Sequence, residues 1–319
     1  MLWHTLTLLA GLVVLSGGGE ALVRGATRLA QACGVSALVI GLTVVAFGTS
    51  APELAVSLVA CIKNEDAIAV GNVVGSNSAN ILLVLGLAAT LVPVAVTRNL
   101  IRVDAAVMLA ATLAIGALAF LEQQLLRWQG IVRVTGLVAY VWLTYRVSGV
   151  AAMADATVPT APGTAPPSRR IVLSIILIAA GLAGLIIGAD WIVRGASGIA
   201  EAFGLSRRLI GVTIVAVGTS LPEIATTISA ARQRHADIAL GNIVGSNIFN
   251  LLCVLGVAAT AAAPISFDAR LLTLDIPVMV GATALGVLLM RTGYRVVRAE
   301  GVLLLVLYVA YLAATVRAG

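Results

Sequence analysis

The chain has 319 residues, 60% of them hydrophobic and only 11% charged, with a mean hydropathy of +1.08. No soluble domain of this length has such a composition, so it reads as an all-α polytopic membrane protein. The formal charge of +6 comes from arginines flanking apolar segments, with no basic cluster interleaved with aromatics, which argues against a nucleic-acid partner.

Within the first apolar segment, 5–23, Leu6–Leu15 has the length of a signal-peptide core. No Lys or Arg precedes it, and a counterpart occurs mid-chain at 171–193, so both are predicted to be first helices of repeats. Glu20 near its end is predicted to pair with Arg24.

The second segment, 35–62, contains Gly48-Thr49-Ser50-Ala51-Pro52-Glu53. Pro52 has no N–H to give the carbonyl of Gly48, so the helix is predicted to break there. A spanning helix tolerates freed carbonyls only where protein or a water-filled cavity satisfies them. Glu53 falls in the first turn after the break, where the helix dipole favours an anion. Thr49 and Ser50 precede it by four and three residues and share its face. An ionisable group inside an apolar span marks an ion or substrate path.

The third segment, 67–93, carries Asn72, Ser76 and Asn80 as one polar stripe, beside Gly71, Gly75 and Gly86, which allow close packing. Segments at 104–121 and 131–147 complete a set of five, each near the ~20 residues of a span. Ala151–Ser168, rich in Ala, Pro and Thr, reads as a flexible linker.

A second set follows at 171–193, 206–231, 237–262, 272–290 and 300–316, and it repeats the first at an offset of 170. Gly218-Thr219-Ser220-Leu221-Pro222-Glu223 restates the broken-helix motif. Asn242, Ser246 and Asn250 restate the stripe, and Gly34, Gly41 and Asp190-Arg194 find partners in Gly204, Gly211 and Glu20-Arg24. The expected organisation is a first repeat over 1–149, a linker over 150–170 and a second repeat over 171–319. Five helices per repeat put the second into the membrane the other way round. The fold class predicted is therefore ten transmembrane helices as two inverted five-helix repeats, with the site at the midplane.

Twelve of the 20 Lys and Arg fall on the side of the odd-numbered connections and eight on the other. That bias predicts a plasma (inner) membrane protein with both termini outside and a cytoplasmic linker. Cys33, Cys61 and Cys253, odd in number and scattered, suggest neither a disulfide frame nor a metal site.

Asn72 and Asn77, with their partners Asn242 and Asn247, are assigned to interhelical packing. Ser76, Asn80, Ser246 and Asn250 are assigned to ligation, because no Lys, Arg or His lies within the four motif-bearing helices, ends excepted. Two unpaired carboxylates would repel, so one is protonated or a cation sits between them. Carboxylates, hydroxyls, amide oxygens and freed carbonyls suit hard ions such as Na⁺ and Ca²⁺, and Mg²⁺ less well.

The paired Gly-Thr-Ser-x-Pro-Glu stretches, each followed by Gly-Asn-x-Val-Gly-Ser-Asn-x-x-Asn, resemble the two alpha repeats of the cation/calcium exchanger superfamily, most closely its prokaryotic sodium/calcium antiporter branch. The resemblance covers nearly the whole chain. It implies four ion sites between the second, third, seventh and eighth helices. The ligands it implies are Glu53, Glu223, Thr49, Ser50, Thr219, Ser220, Ser76, Ser246, Asn80 and Asn250, with the carbonyls of Ala46 and Ala216. Some archaeal members have Asp where this chain has Asn250, so one titratable group of that pattern is missing here.

The function expected is a secondary antiporter exchanging Na⁺ for Ca²⁺ by alternating access, with no cofactor beyond the transported ions. Its expected partners are those ions and the lipid bilayer, with no nucleic acid and no obligatory protein partner. A proton/calcium antiporter is the alternative, although the glutamate-bearing motif usual after Gly-Asn is absent. A passive channel suits broken inverted repeats less well. An enzyme is disfavoured because no Ser/His, Asp/Asp or His-Glu-x-x-His constellation occurs.

Overall fold

The computed structural model describes residues 2–154, 167–203, 216–262 and 264–318. Gly204 and Gly211, the partners expected for Gly34 and Gly41, lie outside them, as do residues 155–166 of the expected linker. The described chain is all-helical except for two ribbons of two-residue strands.

The helices are α1 (Leu2–Cys33), α2 (Ala37–Thr49), α3 (Ala51–Ile62), α4 (Asp66–Leu91), α5 (Leu100–Leu121), α6 (Arg127–Ala154) and α7 (Pro167–Ala202). After them come α8 (Ala216–Thr219), α9 (Leu221–Arg232), α10 (Ala236–Ala262), α11 (Leu271–Arg291) and α12 (Arg298–Ala318). Among the described residues, seven helices are long and apolar enough to cross a membrane: α1, α4, α5, α7, α10, α11 and α12. The bent pair α2–α3 makes an eighth. The first half of α6 holds Trp128, Gln129 and Arg133, which lower its hydropathy.

Several helices outrun the predicted segments. α1 continues from 23 to Cys33, because the Glu20–Arg24 pair is set four residues apart on an exposed face while the opposite face stays apolar. α6 and α7 run into the expected linker from both ends, to Ala154 and from Pro167. Ala151, Ala152 and Ala154 favour helix, and proline is at home in a first turn.

α1 and α7 pack antiparallel along glycines spaced by seven: Gly11, Gly18 and Gly25 on one, Gly181, Gly188 and Gly195 on the other. A Cβ at Gly11, Gly18 or Gly25 would stand 2.7–2.9 Å from the backbone nitrogens of Ile192, Leu185 and Ile178. A Cβ at Gly181, Gly188 or Gly195 would stand 2.5–2.7 Å from those of Leu22, Leu15 and Leu8. In lipid, tails are as apolar as leucine, so close backbone approach and dispersion drive such pairing.

α4 and α10 form the centre. Their apolar spans are 72% and 78% buried, against 39% or less for the other five of the seven long apolar helices. The outer helices expose large apolar side chains such as Leu9, Val132, Ile176 and Val309. That surface is that of an integral membrane protein.

The ribbons tie the repeats together. β1 (Val94–Ala95) pairs antiparallel with β4 (Arg295–Val296), and β2 (Gln124–Leu125) with β3 (Ile265–Ser266). β1–β4 follows the C-terminal end of α4. β2–β3 lies at its other end, where the Ser266 amide donates to Asp66 Oδ2 at 2.9 Å. Each ribbon takes one strand from each half of the chain, and the repeat operation exchanges one ribbon for the other.

The repeat offset is 170 up to Thr90 and Thr260 and becomes 171 afterwards, as Pro93 matches Pro264. The backbone follows both registers. Left-handed residues occur at Asn64 and Arg234 (φ 59° and 61°), and at Gln123 and Tyr294 (φ 55° and 53°). Buried Asp104 accepts from Tyr140 Oη at 2.8 Å, and Asp275 accepts from Tyr311 Oη at 2.8 Å. These two helix-to-helix staples went unnoticed in the sequence because their partners lie 36 residues apart.

Candidate ion-binding site

The second helix of each repeat breaks where proline predicts. α2 and α3 meet at 44°, with Ser50 at φ −86°, ψ 2°. Ser220 between α8 and α9 has nearly the same backbone, φ −88°, ψ 1°. Pro52 and Pro222 sit in the first turns of α3 and α9, followed at once by Glu53 and Glu223. The dipole of each short helix thus points its positive end at a carboxylate.

Both glutamates are 1% exposed, and neither forms an ion pair among the described residues. Glu53 Oε1 accepts from Ser76 Oγ at 3.5 Å, while its Oε2 and both carboxylate oxygens of Glu223 have no hydrogen-bond partner. Around them Ser50 Oγ, Ser220 Oγ, Asn250 Oδ1 and both polar atoms of Asn80 are likewise buried and unpartnered. A buried polar atom without a partner is costly, and one physical account of a cluster of them is an ion. Every oxygen here is hard, and no cluster of three His, Cys, Asp or Glu exists among the described residues. The donor set therefore fits a cation of the Na⁺ or Ca²⁺ kind held largely by neutral oxygens.

The remaining predicted residues are placed as follows. Thr49 Oγ1 lies 3.0 Å from Asn242 Oδ1, 3.3 Å from Ser246 Oγ and 3.3 Å from the carbonyl of Ala46. The Ala46 carbonyl also accepts the Ser50 amide at 3.0 Å. The Thr49 hydroxyl has one proton and its shortest contact is to Asn242 Oδ1, while in the contact with Ser246 either hydroxyl can donate, which leaves the Ala46 carbonyl a free lone pair. Thr219 and Ala216 lie in α8, just ahead of the second break, where the Ser220 amide donates to Val217 O at 3.1 Å. Asn80 and Asn250 each open a π-helical turn, Asn80–Leu85 and Asn250–Val254, a widening of the helix that recurs at functional sites.

The amides assigned to packing do hold backbone. Asn72 Nδ2 donates to the carbonyl of Glu53 at 3.1 Å and to Ser57 Oγ at 2.9 Å. Asn242 Nδ2 does the same for Glu223 and Thr227 Oγ1, at 3.4 and 3.1 Å. The predicted peripheral pairs also form, Arg24 with Glu20 and Arg194 with Asp190 at 2.8 Å, both on exposed helix faces. One residue escaped the sequence reading: Thr226, fully buried one turn beyond Glu223, has an unpartnered hydroxyl. Its counterpart is Val56, so comparison of the repeats gave no signal for it.

The family pattern described as "Sodium/calcium exchanger protein" matches the chain twice, over residues 3–146 and 173–317. The chain belongs to the sodium/calcium exchanger family. Members of this family are membrane ion exchangers and not enzymes, and both halves of the chain carry the family pattern. Among its relatives are the "Putative antiporter CaxA" of Alkalimonas amylolytica, 40% identical over 98% of both chains. The "Sodium/calcium exchanger MaX1" of Methanosarcina acetivorans is 34% identical over 96% of this chain and 97% of its own. Among solved structures, the sodium-calcium exchanger NCX_Mj soaked with Na⁺ and Ca²⁺ superposes with a TM-score of 0.83, at 31% identity and over 98% of both chains.

Proposed function

We propose that this exchanger moves Ca²⁺ against Na⁺ by alternating access, with the ions bound between the two repeats. The observation that carries this reading is the pair of buried glutamates, without cationic partners among the described residues, inside a shell of unpartnered hydroxyl and amide oxygens. Two carboxylates neutralise one Ca²⁺, and the same oxygens accommodate Na⁺. The side-chain ligands are Glu53, Glu223, Thr49, Ser50, Thr219, Ser220, Ser76, Ser246, Asn80 and Asn250, joined by the carbonyls of Ala46 and Ala216. The name of MaX1 and the Na⁺ and Ca²⁺ soaks of NCX_Mj support Na⁺ as the coupling ion.

The architecture that goes with this function is ten spans in two inverted five-helix repeats, divided at 1–149, 150–170 and 171–319. The apolar segments predicted at 131–147 and 206–231 complete the ten. Support comes from the ribbons: β1 and β4 belong to the third and ninth connections, β2 and β3 to the fourth and eighth, as alternate crossing requires. The arginine bias puts the β1–β4 end and the linker in the cytoplasm of a plasma-membrane protein, with both termini outside.

The test is ⁴⁵Ca²⁺ uptake by purified protein in vesicles under an imposed Na⁺ or H⁺ gradient. Uptake driven by outward Na⁺ and not by H⁺ is expected. Uptake driven by H⁺ alone would replace this reading with proton/calcium antiport.

A further inference from the structure

The buried amides between α4 and α10 form a chain with a fixed polarity. Asn77 is 1% exposed and donates through Nδ2 to the main-chain carbonyl of Asn247 at 3.3 Å. A carbonyl can only accept, so this contact decides which end of the Asn77 amide is nitrogen. The other end, Oδ1, accepts from Asn250 Nδ2 at 3.0 Å. The Asn250 amide is thereby turned with its NH₂ to Asn77, and its Oδ1 remains buried with no partner. Only the oxygen end of an amide can hold a cation.

The repeat-related residues are arranged differently. Asn247, the counterpart of Asn77, turns its Nδ2 back to the Ile243 carbonyl of its own helix at 3.0 Å, and its Oδ1 has no partner. Asn80, the counterpart of Asn250, has no partner at either end of its amide. The relay is thus closed on one side of the pseudo-twofold axis and open on the other.

We propose that Asn77 is a positioning residue for cation binding: it locks the Asn250 amide with its carbonyl oxygen toward the ion. When the repeats exchange conformations, Asn247 takes over the same task for Asn80. This inference rests on Asn250 being an ion ligand, as the proposed exchange function has it. Without Asn77, the Asn250 amide is free to present its NH₂ group, whose positive end repels a cation.

A double-mutant cycle tests this with Ca²⁺ alone as the probe, titrated calorimetrically into purified protein, with thermal unfolding as the control for folding. Asn77→Ala is expected to weaken Ca²⁺ binding about tenfold, the worth of one buried hydrogen bond to a ligand. In the Asn250→Asp background the same change is expected to cost less than about twofold, because a carboxylate offers oxygen at both ends. Asn77→Asp keeps an acceptor for Asn250 but loses the donor to the Asn247 carbonyl, so it is expected to lower the unfolding midpoint while binding Ca²⁺ more tightly than Asn77→Ala. Equal weakening in both backgrounds, or weakening by Asn77→Asp as large as by Asn77→Ala, would show a merely structural role and overturn the proposal. Wild-type protein that fails to bind Ca²⁺ would instead overturn the exchange function on which the proposal stands.

Discussion

Asn72 donates its side-chain amide to the main-chain carbonyl of Glu53 at 3.1 Å, across the gap between α4 and α3. The bond pins the turn that carries the carboxylate, and Asn242 repeats it for Glu223. Replacing Asn72 by Asp removes the donor and sets a carboxylate against a carbonyl. The expected result is a loss of about 1–3 kcal/mol of stability, read as a lower midpoint of thermal unfolding in detergent. An unchanged midpoint in Asn72→Asp would mean the contact carries no weight.

The glycine seam gives a sharper steric prediction. A Cβ at Gly18 would meet the backbone nitrogen of Leu185 at 2.7 Å, whereas one at Gly17 meets nothing within 4 Å. Gly18→Leu should therefore force α1 and α7 apart and abolish folding or transport, while Gly17→Ala should be nearly silent. Folded yield by size-exclusion chromatography separates the two outcomes, and equal yields would refute close backbone packing as the bond between these helices.

Charge in the site predicts a response to voltage. With two glutamates as its only charged groups, the site is neutral with one Ca²⁺ and carries +1 if three Na⁺ replace it. A membrane potential should then drive exchange, by about 2.3 kcal/mol per charge per 100 mV. Calcium flux in vesicles clamped with K⁺ and valinomycin should change with the imposed potential, and flux indifferent to it would exclude that stoichiometry.

Protons and cations compete for the same carboxylate oxygens, so the Ca²⁺ concentration for half-maximal exchange should rise as pH falls. Asn80 and Asn250 are amides and take no part in this. Asn250→Asp adds an acidic group to the same shell and should reshape the pH profile of exchange, whereas Asn72→Asp should leave its shape alone. Flux against pH for the wild type and both variants decides the matter. A profile moved by Asn72→Asp and not by Asn250→Asp would assign the wrong asparagine as ligand.

Much of this is legible in the sequence. The Gly-Thr-Ser-x-Pro-Glu stretches gave the helix breaks because proline lacks a donor, and the breaks fall at Ser50 and Ser220 as that chemistry requires. The duplication was legible because the motifs are short, polar and set in an apolar background. The π-helical turns at Asn80 and Asn250 were not, since a shift of backbone partner by one residue leaves no mark on composition. The Asp104–Tyr140 staple was hidden by distance in sequence, and its twin Asp275–Tyr311 by the change of offset from 170 to 171. The polarity of the Asn77–Asn250 contact was beyond reach for a further reason: the motif reads identically in both repeats, and only the folded chain breaks that symmetry.

The account stands most directly on the two carboxylates. Glu53→Gln and Glu223→Gln keep shape and volume and remove half of the charge that opposes Ca²⁺. Na⁺-driven ⁴⁵Ca²⁺ exchange by each purified, folded variant in vesicles should fall at least about a hundredfold, as expected for a buried, charge-assisted ligand lost from the site. Near-normal exchange in either variant would contradict it.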